Sequence, residues 1–248
     1  MKKSVVGLVL VLALSQNVSM CASSGEYTLR QEPWLERILE SEDDVVPRYP
    51  ITPDNVYAEL EHVYRNADFK DYIGEGVSQL DHALQAANHA LQRMVLGSDS
   101  PVRLTEEHVI AALFHDAGQL FGNQTKADMD GYGVVEHEKI GAALLLTRGF
   151  SNKVTAMVAG HVDAKRYLVY QDCRYALALS DASRKTLALQ GGPFSKVEAD
   201  AFEKHPYFKD ILFIRQCDES AKKLGTSTQP FSYYKHMIIY HLTQGQRH

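Results

Sequence analysis

Val109-Ile110-Ala111-Ala112-Leu113-Phe114-His115-Asp116-Ala117-Gly118 reads as a helical run with apolar side chains on almost every side, ending in an imidazole beside a carboxylate and stopping at a glycine. A helix apolar all round belongs in the middle of a fold rather than on its surface. Neighbours on a helix project about 100° apart, so His115 and Asp116 face one cavity from the same half of the helix. A buried carboxylate requires a cation, a set of donors or a metal beside it. No Lys or Arg lies within four residues of Asp116 on this run. A metal becomes the leading candidate, and its other ligands must come from elsewhere in the chain.

Composition sets the frame for that search. The 248 residues are 45% hydrophobic and 23% charged, which is the balance of a globular protein with one main domain. A net charge of -5 and a pI near 6.1 give no electrostatic footprint for nucleic acid. Cys21, Cys173 and Cys217 are too widely spaced for a zinc knuckle or a disulfide framework.

Upstream of the central run, Ser78-Gln79-Leu80-Asp81-His82-Ala83-Leu84-Gln85-Ala86-Ala87-Asn88-His89 opens a strong helix through residue 96, with His82 and His89 two turns apart on one face. Downstream, residues 118–133 read as a loop. Glu136-His137-Glu138 then begins a helix that Gly149 closes. The next helix starts at Ser151 and presents His161 and, one turn later, Lys165 on a shared face. Residues 180–190 form another helix, and Ser195-Lys196-Val197-Glu198 is a capping box for the one after it, stopped at His205-Pro206. A long helix over 207–224 carries Arg215 and Asp218 three apart, and an amphipathic helix over 233–242 follows.

The first quarter is of another kind. Lys2 and Lys3, the apolar run 5–14 and the small polar residues to Ser24 read as a signal or targeting segment over 1–24, for secretion or an organelle; that run is too short to span a bilayer. If the start codon lies further on, the protein is cytoplasmic. Residues 25–55, with Pro33, Pro47, Pro50 and Pro53, read as an extended connector holding at most one short helix over 34–39. Asp54 can cap a helix through Val56, Leu60, Val63 and Tyr64, which starts a domain over 56–248. No strand pattern occurs anywhere. The expected fold is an all-α helical bundle.

Taking one polar group from each buried helix gives His82, His115, Asp116, His137, His161 and Asp218. Four imidazoles and two carboxylates exceed one closed zinc site but suit two metals about 3.5–4 Å apart, with Asp116 bridging. Nitrogen and oxygen ligands favour iron or manganese, and zinc and cobalt accept the same donors. Lys165 and Arg215 would stand beside the metals, which implies an anionic substrate.

The order His82, His115-Asp116, His137, His161, Asp218 resembles the H…HD…H…H…D signature of two-metal HD-domain proteins. Three stretches resemble more narrowly the phosphonate-cleaving branch of the HD-domain mixed-valent di-iron oxygenases, relatives of myo-inositol oxygenase: Tyr72-Ile73-Gly74-Glu75 through Gln85, His161-Val162-Asp163-Ala164-Lys165-Arg166, and Leu187-Ala188-Leu189-Gln190-Gly191-Gly192-Pro193. The likeness covers residues 65–225.

It implies an HD-domain helical bundle that uses O2 to cleave the carbon-phosphorus bond of 2-amino-1-hydroxyethylphosphonate or its trimethylammonium analogue, giving phosphate and glycine or glycine betaine. The cofactor implied is a pair of iron ions, Fe(II)/Fe(III). By the same resemblance His82, His115, Asp116 and Asp218 hold one iron and Asp116, His137 and His161 the other. Tyr72 occupies an open iron position before substrate arrives, Glu75 places the substrate amine, and Lys165, Ser183, Gln190 and Arg215 line the phosphonate pocket. The relatives continue His-Asp-x-Gly-His, whereas Gln119 stands fifth here, so a substrate contact remains available but acid or base work does not. For a trimethylammonium group, Tyr132, Tyr167 and Tyr170 are candidate aromatic faces. The rival readings are a metal-dependent HD phosphohydrolase acting on a phosphate ester and a non-catalytic phosphonate-binding protein.

Overall fold

The computed structural model describes residues 27–41, 45–67, 75–97, 102–121 and 129–245. The 1–24 segment and Tyr72 lie outside the described residues, so the expectations placed on them have no structural counterpart. Among the described residues the regular elements are α-helices and short 3-10 turns, with no strand. The fold is all-α.

Among the described residues, two helices precede the site: α1 (Leu35–Ser41) and α2 (Pro53–Asn66). The site is then built from α3 (Gln79–Leu96), α4 (Glu106–Phe114), α5 (Ala117–Phe121), α6 (His137–Thr147) and α7 (Asn152–Gln171). The rest are α8 (Cys173–Ala178), α9 (Asp181–Leu189), α10 (Lys196–Phe202), α11 (Phe208–Ser220) and α12 (Lys235–Gly245).

The all-round apolar α4 lies at the centre, packed against α3, α7, α11 and α12. Its residues 109–114 are buried, as the absence of a polar face requires. On α3 the fully buried Ala86, Ala87 and Ala90 let the two helices approach closely. Local signals set most starts: Ser78, Ser151, Ser180 and Ser195 each accept a hydrogen bond from the backbone N–H three residues on. The second start differs from expectation. Thr52 rather than Asp54 is the cap, because Pro53 takes the first helical position, where its missing N–H costs nothing.

Two further differences bear on the site. The central helix does not run to Gly118 and stop; it ends at Phe114, turns through His115 and Asp116, and resumes as α5. The His115 ring takes the Ala112 carbonyl at 2.8 Å, the acceptor a continuing helix would assign to the Asp116 amide. At the other end, α11 stops at Ser220 rather than 224, leaving Ala221–Lys223 as irregular chain tied to α3 through His82 and Gln85.

The segment before α2 also packs. Leu29, Ile38 and Val45 are buried, and α1 lies on α6. Buried Arg148 closes this side, forking onto Glu59 through Nε and Nη2 and donating from Nη1 to the Val45 carbonyl at 2.8 Å. No described helix is long and apolar enough to cross a membrane.

Candidate metal centre

Five elements converge on one interior point. His82 comes from the first turn of α3, His115 and Asp116 from the break between α4 and α5, His137 from the first residue of α6, His161 from mid-α7 and Asp218 from the last turn of α11. All six side chains are buried. His89, the other histidine on α3, is only partly buried and does not join them.

Their atoms sort into two groups that share Asp116. His82, His115 and Asp116 form one set of mutually close donors, and Asp116, His137 and His161 the other. Asp116 turns Oδ1 to His137 Nε2 at 3.2 Å and to His161 Nε2 at 3.4 Å. Its Oδ2 lies 3.8 Å from His82 Nε2 and 3.7 Å from His115 Nε2. Asp218 joins the first group, with Oδ1 3.5 Å from His82 Nε2 and 4.0 Å from His115 Nε2.

The hydrogen bonds fix which nitrogen of each ring faces inward. Nδ1 of His82, His115, His137 and His161 meets the carbonyls of Ala221, Ala112, Val134 and Val158. A carbonyl only accepts, so each Nδ1 carries the proton and each Nε2 presents a lone pair. These lone pairs face each other in twos, His82 to His115 at 3.0 Å and His137 to His161 at 3.3 Å. Such pairs repel unless a proton or a metal ion lies between them.

A proton is the weaker answer for the first pair, because burial and the neighbouring His115 push the His82 pKa down to about 4. Burial likewise lowers His161; at His137 burial also pushes down, but the Asp116 bond and the charges of Asp116 and Glu138 together outweigh it and raise the pKa. Both carboxylates are kept ionised against the upward push of burial: His115, His137 and His161 hold Asp116 well below the usual carboxylate range, and Arg215 and Lys222 do so for Asp218. Asp218 Oδ1 is moreover buried without a hydrogen-bond partner. Four fixed imidazole lone pairs and two ionised carboxylates, one with an orphaned oxygen, fit a pair of metal ions.

Known proteins resemble the chain in sequence. The chain is 35% identical over 169 residues to the glycine-betaine-forming 1-hydroxy-2-(trimethylamino)ethylphosphonate dioxygenase of Leisingera caerulea, an alignment covering 68% of this chain and 81% of the relative. It is 33% identical over 168 residues to a hydroxymethylphosphonate dioxygenase of Gimesia maris, covering 66% and 78%. The chain belongs to the phosphonate dioxygenase family. An uncharacterised protein of Acanthamoeba polyphaga mimivirus is 34% identical over 184 residues, covering 74% of this chain and 80% of the relative. No protein-family profile matches the chain.

In this phosphonate dioxygenase family member the histidine and aspartate cluster opens into a pocket, partly open to solvent. Glu75, Gln119, Lys165, Ser183, Gln190 and Arg215, six residues singled out in the sequence, all line it. Lys165 is buried and donates to Thr186 Oγ1 at 2.9 Å. Gln119 Oε1 accepts from the Val134 N–H at 2.8 Å, so this side chain holds the chain just before α6. Arg215 is more committed than a free anion ligand: it donates to Asp218 Oδ2, to Glu219 Oε1 at 3.0 Å and to Tyr175 Oη at 3.1 Å. Its first task is to hold Asp218.

The aromatic faces are a partial match. Tyr132 lines the pocket, with the Lys185 ammonium 4.8 Å from its ring centre. Tyr167 instead packs among Phe194, Phe202 and Phe208 and donates to Glu203, and Tyr170 is exposed at the surface; neither lines the pocket. Sequence reasoning missed Thr186 and Lys222. Thr186 was signalled by its place one turn after Ser183 on α9; Lys222 was signalled by standing four residues after Asp218 in the helix expected over 207–224, the spacing that pairs Lys165 with His161.

Proposed function

We propose that this protein is an HD-domain di-iron oxygenase that uses O2 to cleave the carbon-phosphorus bond of a small 1-hydroxyphosphonate, releasing phosphate and a carboxylate. Glycine or glycine betaine is the second product where the substrate carries an amino or trimethylamino group. The observation that carries this reading is the shared Asp116, whose two oxygens serve two separate histidine pairs beside a pocket lined by cations. The reaction balances as written: a 1-hydroxyphosphonate dianion and O2 together hold the atoms and electrons of the carboxylate and dihydrogen phosphate, so no further reductant is consumed.

In this reading His82, His115, Asp116 and Asp218 hold one metal and Asp116, His137 and His161 the other. Bound there, two iron ions supply the redox chemistry that joins O2 to carbon, which protein side chains lack. The chain's own residues bind and orient. Lys165, Ser183, Thr186 and Gln190 receive the phosphonate oxygens, Arg215 fixes Asp218, and Glu75 faces the far end of the substrate. Tyr72 is assigned the role of occupying the open metal position until substrate enters.

Lys165 gives this binding a definite pH dependence. Burial, with Arg215 beside it, pushes its pKa down to about 7. It is charged below that value and neutral above it, so anions bind best on the acid side. Sulfate, whose own charge is constant in this range, should lose affinity by up to about tenfold per pH unit above neutrality. Calorimetric titration of Lys165→Met should show that dependence gone; an unchanged profile would remove Lys165 from the anion site.

The reaction itself is tested by phosphate release from an iron-loaded sample given 2-amino-1-hydroxyethylphosphonate, its trimethylammonium analogue or hydroxymethylphosphonate, with and without O2. Release that requires O2, together with a metal content of both sites filled, is expected. Phosphate formed equally well under anaerobic conditions would instead mark a hydrolase.

A further inference from the structure

Lys222 is the pocket cation that the proposed binding roles leave unused. It stands just past the end of α11 on a backbone that cannot drift. The Ala221 carbonyl accepts from His82 Nδ1 at 2.9 Å, and the Gln85 amide clasps Lys223, donating to its carbonyl at 3.0 Å and accepting from its N–H at 3.1 Å. A side chain mounted between such anchors gives up little freedom when it binds. Its ammonium donates to Ser183 Oγ at 2.8 Å and to Ser180 Oγ at 3.4 Å, and lies 3.4 Å from Glu75 Oε1.

The contact with Glu75 is incomplete. The two groups are close enough to attract, yet Glu75 Oε1 is buried and makes no hydrogen bond. A carboxylate oxygen in that position gains from any better-aligned donor. Lys222 in turn shares Ser183 with the anion subsite, and Lys165 reaches Thr186 on the next turn of α9. The two ammonium groups thus approach one turn of one helix, while the charge of Arg215 is already spent on Asp218 and Glu219.

We propose that Glu75 holds Lys222 in the empty pocket and yields it to the anionic end of the substrate, which frees the carboxylate for the amine that the family resemblance already assigns to it. This rests on the reading of the substrate as a phosphonate. Charge counting supports it. In the empty pocket Lys222 and Glu75 neutralise each other. With a zwitterionic aminophosphonate bound, the dianion meets Lys165 and Lys222, the ammonium meets Glu75, and nothing is left unpaired. A phosphonate without an amine strands the Glu75 charge, so the exchange selects substrates that are anionic at one end and cationic at the other.

The pair makes an unusual prediction for a ligand that has only the anionic end. Inorganic phosphate should bind the metal-loaded, full-length Glu75→Gln protein several-fold more tightly than the unaltered protein, because Lys222 is no longer shared. Lys222→Met should weaken phosphate binding about tenfold, Lys222→Arg should restore much of it, and the double variant should lose the gain. Calorimetry reads all four. If Glu75→Gln leaves phosphate affinity unchanged or lowers it, the pair is merely structural and the exchange is wrong. Turnover separates the two proposals: active enzyme without the affinity gain overturns the exchange alone, whereas the gain in a protein inert toward every phosphonate overturns the oxygenase reading alone.

Discussion

Asp116→Ala is expected to strip the metal held with His137 and His161 and to leave the other ion weakly bound, with phosphate release falling on the order of 10³-fold or more. The asymmetry follows from the donor sets. Without Asp116 the second group keeps two neutral imidazoles and no anion, too little to hold a divalent ion against water. The first keeps His82, His115 and Asp218, with Asp218 still ionised beside Arg215. Metal analysis of the purified variant measures this directly. Arg215→Met should act in the opposite order, loosening Asp218 and so the first group before the second. A full metal pair retained in Asp116→Ala would mean that its two oxygens serve no shared role, whatever their distances to the four rings.

How far the sequence announced this centre depends on the range of each signal. The buried α4 was legible because a helix without a polar face has only one place to go, and residues 109–114 are enclosed accordingly. Serine caps at 78, 151, 180 and 195 were legible because the hydrogen bond that sets them spans three residues. The helix α8 was not, since none of its residues is buried and no apolar period marks it. Nor was the break at His115 and Asp116, a pair that no glycine or proline marks. The backbone under Lys222 lies furthest from local rules: past the end of α11 it is set by the clasp of Gln85 on Lys223, 138 positions apart in sequence. Arg148 is similar, since two of the partners that let it be buried, Glu59 and the Val45 carbonyl, lie 89 and 103 positions upstream.

Gly118 joins both strands of this argument, because its position two residues after Asp116 suggests a helix stop while its surroundings give it another task. A Cβ there would stand 1.9 Å from the His137 carbonyl oxygen, 2.7 Å from its carbon and 2.9 Å from the Gly141 amide nitrogen. All three are backbone atoms, which cannot swing aside as a side chain can. The helices α5 and α6 therefore meet main chain to main chain, and from the other side a Cβ on Gly141 would stand 3.0 Å from the Gly118 nitrogen.

Gly118→Ala must push α5 from the first turn of α6, separating Asp116 Oδ1 from His137 Nε2, now 3.2 Å apart. The expected loss is about 3 kcal/mol, a fall in melting temperature of roughly 6–12 °C for a chain of this size, with the metal held by His137 lost as well. A control separates this cause from glycine replacement in general. Gly97→Ala, at φ +58° with open space around its Cβ, adds backbone strain of about 1 kcal/mol and no clash. It should keep its metal. Denaturation and metal content measured on both variants would overturn the helix contact if Gly118→Ala proved no worse than Gly97→Ala, because the close approach that brings His137 to Asp116 would then not depend on a missing side chain.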